Sequence, residues 1–123
     1  MILFNPDKVQ WFRTAVRGGQ WAPIQGNPSH PGQYVYAAKV PPDTVTLPRF
    51  FPDTRRYTVI SGTFYVGFGD RFEDAQLIAL PPGSYYVAPA GKPYFTATRK
   101  ESVVLQVSGT GPSKQTVVDP AGR

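Results

Sequence analysis

The chain has 123 residues, which is the usual size of one domain, and it contains no cysteine. The lack of cysteine excludes disulfides, a thiolate nucleophile and zinc sites with cysteine ligands. The net charge is +5, but the basic residues are dispersed and form no stripe or tail, so we expect no nucleic-acid partner. No apolar run is long enough to span a bilayer or to form a signal segment. We therefore expect no membrane association and a cytoplasmic location.

The elements predicted in chain order are short strands separated by turn residues. The strands are expected at residues 9–12, 34–40, 44–50, 76–80, 85–88, 94–99 and 103–108, with a long segment at 56–69 that Gly62 and Gly67 interrupt. Residues 71–75 are predicted to form a helical turn or a loop. No window has a sustained helical period. Regularly spaced short strands with proline and glycine turns are typical of a β-sandwich or a barrel.

Two segments have a recognisable spacing. Residues 83–94 read G-S-Y-Y-V-A-P-A-G-K-P-Y, which is a glycine, five residues, Pro-Ala-Gly, two residues and an aromatic at Tyr94. Upstream, Arg49, Phe51, Arg55 and Gly62 are separated by one, three and six residues. This pair of segments resembles the two sequence motifs of the cupin family.

The resemblance covers residues 26–120, and the match is tightest over residues 48–69 and 80–106. It implies an all-β fold, the double-stranded β-helix or jelly-roll barrel of the cupins, and it suggests a bacterial protein. The whole chain, 1–123, is expected to be one cupin domain. We place an N-terminal arm at 1–25, the barrel core at 26–109 and a C-terminal tail, packed across the outside, at 110–123.

The cupin motifs normally carry metal ligands, and this chain departs from that pattern. The family has His, His, Glu and His at the positions held here by Arg49, Phe51, Arg55 and Tyr94. The one histidine, His30, lies in a proline-rich loop outside both motifs, and a surface loop is the ordinary place for it. A first-row metal needs several histidine or carboxylate ligands, so we expect no metal and no other cofactor.

The resemblance also implies that Arg49, Arg55 and Tyr94 point into the mouth of the barrel. A guanidinium there offers a fork of donors that matches a carboxylate, a phosphate or an enolate oxygen. Tyr94 could then donate to the same anion, or act as acid or base if the arginines lower its pKa.

The alternative is that the arginines turn to solvent or pair with an aspartate, while Phe51 and Tyr94 fill the former cavity. Asp53, Asp70 and Asp74 are the available partners. We favour this alternative for Arg55 and the anion-binding interpretation for Arg49.

Other candidates for the lumen are weaker. Gln106 lies in an apolar strand and either faces inward to bind a ligand or faces outward, and the sequence leaves both open. The aromatic residues Tyr36, Tyr57, Phe64 and Tyr85 either line the lumen or form plain core.

The sequence thus predicts metal-independent binding of a small anionic or oxygen-rich organic molecule in the barrel lumen. An isomerase, lyase or cyclase that uses Tyr94 and Arg49 is one form of this prediction. The alternative is a non-catalytic ligand-sensing or structural barrel with a decayed metal site. A plugged lumen would favour decay, and an open cavity holding an arginine would favour binding.

Because residues 57–68 are apolar on both faces, we expect a partner chain or the N-terminal arm to cover the outer face, which suggests a homodimer.

Overall fold

The computed structural model describes residues 2–14 and 16–118, and the predicted tail beyond residue 118 lies outside the described residues. Eleven strands and one short 3-10 helix, Asp74–Gln76, form the described part of the chain. The strands are β1 Phe12–Arg13, β2 Gln20–Gln25, β3 Gly32–Val40, β4 Val45–Phe50, β5 Arg55–Ser61, β6 Phe64–Phe68, β7 Ile78–Leu80, β8 Tyr85–Ala88, β9 Tyr94–Ala97, β10 Val103–Gly111 and β11 Thr116–Val117. The prediction of an all-β protein is confirmed. No helix in this part of the chain is long and apolar enough to cross a membrane.

The strands form two antiparallel sheets that face each other. The first sheet has the order β1-β2-β3-β10-β5-β8, and the second has the order β11-β4-β9-β6-β7. Neighbours in each sheet are often far apart in sequence, as expected for a jelly roll. Both sheets contribute one inward face to a common core.

The segment predicted as one long strand at 56–69 is two strands, β5 and β6, joined by a turn at Gly62. Gly62 has a φ of +76°, which is a left-handed conformation that glycine adopts without steric cost. Gly67, the second glycine of that segment, lies inside β6 and allows the ring of Phe95 to pack closely against its backbone.

The core follows from the alternation of each strand. In β5, Arg55, Tyr57 and Val59 are buried, while Arg56 and Ile60 are exposed on the outer face. Inward residues of both sheets join them in one cluster: Phe51, Tyr57, Val59, Phe64, Val66, Tyr86, Ala88, Tyr94, Val103, Leu105 and Val107. The core therefore fills the inner part of the barrel.

The two chain ends extend the sheets rather than only covering them. β1 and β2 belong to the predicted arm and join the first sheet beside β3, and β11 pairs with β4 at the edge of the second sheet. β10 continues past residue 109 to Gly111. The division into arm, barrel and tail remains a prediction.

Candidate functional site

A cavity of about 190 Å³ lies between the two sheets and holds both predicted arginines. Arg49 comes from β4 in one sheet, and Arg55 comes from β5 in the other. The lining between them consists of Phe51, which follows β4, and of strand residues, which are Tyr36, Ala38, Val40, Thr46, Tyr57, Phe64, Thr96, Leu105 and Val107. The rest of the lining comes from the loop before β2, from β2 and β3 and from the C-terminal segment, namely Thr14, Val16, Gly19, Gln20, Lys39 and Gln115.

The cavity is a positively charged site. Its lining includes Arg49, Arg55 and Lys39, and no aspartate or glutamate of the described chain is part of it. Electrostatic interactions are screened less in a cavity shielded from water than in bulk solvent. The lining therefore favours an anion over a neutral or cationic molecule.

Arg49 is the arginine with unused donor capacity. Its guanidinium carbon lies 4.6 Å from the centre of the Tyr94 ring, a cation–π distance. Its Nη1 is buried and makes no hydrogen bond within the described residues. A buried polar group without a partner costs free energy, and a bound anion would supply that partner.

Arg55 is buried at 6 % exposure and held by neighbouring side chains. Its Nη1 donates to the Tyr36 hydroxyl at 2.7 Å, and its Nη2 donates to Ser113 Oγ at 2.9 Å. The guanidinium carbon lies 3.5 Å from the centre of the Phe51 ring. The alternative favoured for Arg55 is wrong in its solvent-facing form, because the strand alternation and these partners hold the side chain inside the barrel. Its other form, a direct ion pair with Asp53, Asp70 or Asp74, is not found among the described residues.

Two tyrosine hydroxyls meet beside the cavity. The hydroxyls of Tyr57 and Tyr94 are hydrogen-bonded to each other, and the ring of Tyr57 stacks on that of Tyr86 with centroids 4.5 Å apart. Tyr57 lines the cavity, whereas Tyr94 lies behind it and is almost fully buried. Tyr94 reaches the cavity through Tyr57 rather than directly.

The expected lowering of the Tyr94 pKa is wrong. Burial raises the pKa of Tyr94 above its usual value, and this effect outweighs the opposing effect of Arg49. Burial raises the pKa of Tyr57 as well, and it raises that of Tyr36 to about 12. At neutral pH these hydroxyls are therefore protonated hydrogen-bond donors and not bases.

Tyr85 and Gln106 do not line the cavity. Tyr85 is 56 % exposed, and its neighbour Tyr86 is the one that faces inward. Gln106 is exposed on the outer face of β10, between the inward residues Leu105 and Val107. Of the other aromatic residues for which lumen and core were both left open, Tyr36, Tyr57 and Phe64 line the cavity.

Phe51 and Tyr94 fill part of the lumen but do not close it. Phe51 is buried against Arg55, and its ring centroid lies 6.4 Å from that of Tyr94. The cavity remains beside them, lined by both arginines.

Several residues that shape the site were not predicted from the sequence. Thr46 and Thr96 are paired across β4 and β9, and Gln115 joins the lining from the C-terminal segment. Ser113 holds Arg55. Their contribution follows from the strand pairing, which has no local signal in the sequence.

The side chains present do not fit a metal ion. At the four positions where the cupin motifs carry ligands, two fixed positive charges would repel a cation and Phe51 has no donor atom. Across the described residues there is no group of three or more His, Cys, Asp or Glu that could hold one. His30 is exposed in the loop before β3, outside the cavity lining.

Solved structures with the same architecture identify the fold. The polyketide cyclase RemF from Streptomyces resistomycificus is similar with a TM-score of 0.77, over 99 % of this chain and 89 % of that one, at 15 % identity. An RmlC-like cupin from Shewanella frigidimarina is similar with a TM-score of 0.69, over 87 % of each chain, at 10 % identity. The chain has the cupin fold.

KdgF from Halomonas sp. is a further similar structure, with a TM-score of 0.68 over 88 % of this chain and 92 % of that one, at 19 % identity. At such identities the likeness shows the fold and leaves the activity open. No protein-family model and no curated protein sequence matches the chain. The cupin prediction is thus confirmed at the level of the fold.

Proposed function

We propose that this cupin barrel binds a small anionic organic molecule in its lumen, without a metal, and that Arg49 is its main anchor. The observation that carries the proposal is the buried Nη1 of Arg49, which has no partner in the described chain and lies in a cavity without a carboxylate lining. A guanidinium fork binds a carboxylate through two parallel hydrogen bonds. An anion at this place would satisfy the orphan donor and balance the charge.

The cavity volume limits the size of the ligand. At about 190 Å³ it is smaller than the cavities of roughly 300–1,000 Å³ that hold drug-sized ligands. The aromatic and aliphatic wall favours a ligand with a short carbon skeleton, and Thr46, Thr96 and Tyr57 supply hydroxyls for its further oxygen atoms. A small oxygenated carboxylic acid fits these features.

The binding test is a thermal-shift screen of small carboxylates, followed by calorimetry. A ligand that binds only the folded state raises the melting temperature, so acids that occupy the cavity should stabilise the wild type. Arg49→Met should weaken binding on the order of 10- to 100-fold, because a hydrogen bond to a charged group contributes about 1.5–3 kcal/mol.

Arg56→Met is the matched control, because Arg56 lies in β5 with its side chain exposed on the outer face. This variant should bind as the wild type does. Equal affinity in the Arg49→Met variant, or no stabilisation of the wild type by any acid, would favour the alternative of a structural barrel with a decayed site.

A catalytic role is the second candidate, and the hydrogen-bonded hydroxyls of Tyr57 and Tyr94 beside Arg49 favour it. Neutral hydroxyls and a guanidinium stabilise negative charge that develops on a substrate oxygen, as in isomerase, lyase or cyclase reactions through an enolate. RemF, a similar structure, is described as a polyketide cyclase. The raised pKa of Tyr94 supports the donor role and not the role of a base.

Proton exchange gives a test that does not require the natural substrate. Small oxo acids incubated with the protein in heavy water should exchange their α-protons faster than in buffer, as followed by proton NMR. Tyr57→Phe should reduce that rate about 100-fold or more, the usual effect of an oxyanion donor. Tyr94→Phe should reduce it less, because the Tyr94 hydroxyl acts through that of Tyr57. If the acids bind but their α-protons do not exchange faster, the catalytic role is wrong and the protein only binds its ligand.

A further inference from the structure

The two arginines of the cavity differ in whether an acidic residue balances them. Arg55 directs its Nε and Nη2 to Ser113 Oγ at 3.3 and 2.9 Å, and its Nη1 to the Tyr36 hydroxyl. Three of its nitrogen atoms are thus already engaged. Arg49 has an unpartnered Nη1 among the described residues.

Ser113 connects Arg55 to Asp53. Its single hydroxyl proton goes to Asp53 Oδ1 at 2.5 Å, so the oxygen accepts from Arg55 through its lone pairs. Asp53 Oδ2 accepts from the Tyr34 hydroxyl at 2.6 Å and from the backbone N–H of Thr110 at 3.1 Å. The carboxylate is therefore fixed in place, one hydroxyl away from Arg55 and outside the cavity lining.

This arrangement sets the charge that the inner cavity presents. Arg49 and Arg55 contribute two positive charges, and Asp53 offsets one of them at short range, where solvent screens weakly. One unit of positive charge, centred on Arg49, is left for a ligand. Lys39 also lines the cavity, but its ammonium lies 4.0 Å from the centre of the ring of Trp11, a residue that is not part of the lining.

We propose that the Asp53–Ser113–Arg55 arrangement makes the site selective for singly charged carboxylic acids with a hydroxyl or oxo group, against doubly charged acids. This inference rests on the proposed function and assigns a specificity role to Asp53. A second carboxylate in the cavity would find Arg55 already balanced by Asp53. The neutral hydroxyls of Thr46, Thr96 and Tyr57 match the hydroxyl or oxo group of a monoacid instead.

The test compares lactate with malonate, which are similar in size but carry one and two charges at pH 7.5. Dissociation constants are measured by calorimetry at constant ionic strength. The wild type should prefer lactate at least 10-fold. Asp53→Asn removes the negative charge that balances Arg55. Malonate should therefore bind about 10-fold more tightly, while the dissociation constant of lactate should change little.

Two further variants keep the test decisive. Ser113→Ala should shift the preference in the same direction, which covers the case that Asp53→Asn fails to fold by circular dichroism. Asp70→Asn removes the same charge from an exposed position and should leave the preference unchanged.

The outcomes separate this inference from the proposed function. If Arg49→Met abolishes binding but Asp53→Asn and Ser113→Ala keep the wild-type preference, the specificity role is wrong and the proposed function stands. A wild type that prefers malonate also overturns it. If neither acid binds in a way that depends on Arg49, both the specificity role and the proposed function are wrong.

Discussion

The hydroxyl of Tyr86 is buried and makes no hydrogen bond within the described part of the chain. Burial raises the pKa of Tyr86 well above the usual value of about 10. The unfolded chain releases this proton near pH 10, while the folded chain retains it. Stability from this group is therefore fully present below pH 10 and is lost as the pH rises towards the folded pKa.

Tyr86→Phe should accordingly make the protein more resistant to alkali. Above pH 10 the unfolding free energy should fall with pH less steeply than in the wild type, by up to about 1.4 kcal/mol per pH unit. Stability at pH 7 should be unchanged or about 1 kcal/mol higher, since no hydrogen bond is lost. Urea unfolding at pH 7, 9 and 11, followed by tryptophan fluorescence, measures both effects.

The control for this variant is Tyr85→Phe, which removes the same hydroxyl from the exposed neighbour. It should unfold as the wild type does at all three pH values. A Tyr86→Phe variant that loses stability above pH 10 as steeply as the wild type would contradict the assignment. Tyr36, with its pKa raised to about 12, continues to contribute in the window from pH 10 to 12.

Single residues of the site could be predicted from sequence where a motif fixes their position, and not where a distant contact decides their role. Arg49 lines the cavity, which the family resemblance implied, and Arg55 lines it too, although the alternative was favoured for that residue. The hydrogen bond between Asp53 and Ser113 joins residues 60 positions apart, and only the folded topology brings them together. The pKa of Tyr94 was predicted from nearby charge alone, whereas its burial is the larger effect.

At the level of strands, local patterns located most elements but not the face that each side chain occupies. β8 has the predicted bounds, because turns flank it on both sides. Tyr85 and Tyr86 are adjacent aromatics, so either could face inward by pattern alone. The pairing of Tyr86 with Tyr57 across β8 and β5 decides the matter, since a shift by one residue would reverse every side chain.

Strands that depend on their partners were missed. β2 contains Pro23 and has few strand-forming residues, yet β3 pairs along its length with one register shift. β11 has two residues and exists through its pairing with β4. Because Gln115 and Ser113 lie just before β11, the segment that was expected to cover the outside also completes the cavity.

For the whole molecule, the sequence was sufficient for the fold and insufficient for the ligand. The spacing of glycine, proline and aromatic residues in the two motifs reflects the turns and strand lengths of the fold. The ligand depends on charge balance and on residual volume in the lumen. These properties arise from side chains of both sheets and the C-terminal segment together, as at Arg49, Arg55 and Ser113.

One apolar face of the molecule is uncovered. Ile60 in β5 and Tyr85 and Val87 in β8 are exposed on the outer face, at 53, 56 and 38 %. β1 and β2 lie at the other end of this sheet, beyond β3 and β10, so the N-terminal strands do not cover it. β8 is also an edge strand, which leaves backbone groups free for pairing.

The homodimer therefore remains a prediction, with this face as the interface. Light scattering after size exclusion should give twice the chain mass of 13.5 kDa at micromolar concentration. Ile60→Lys should give the monomer mass, because a buried, unpaired ammonium would be costly at the interface.

Val45→Lys, at an exposed position of the other sheet, should remain dimeric. Both variants should retain carboxylate binding, since neither residue lines the cavity. A wild type with the monomer mass, or an Ile60→Lys variant that stays dimeric, would show that this face is not the interface.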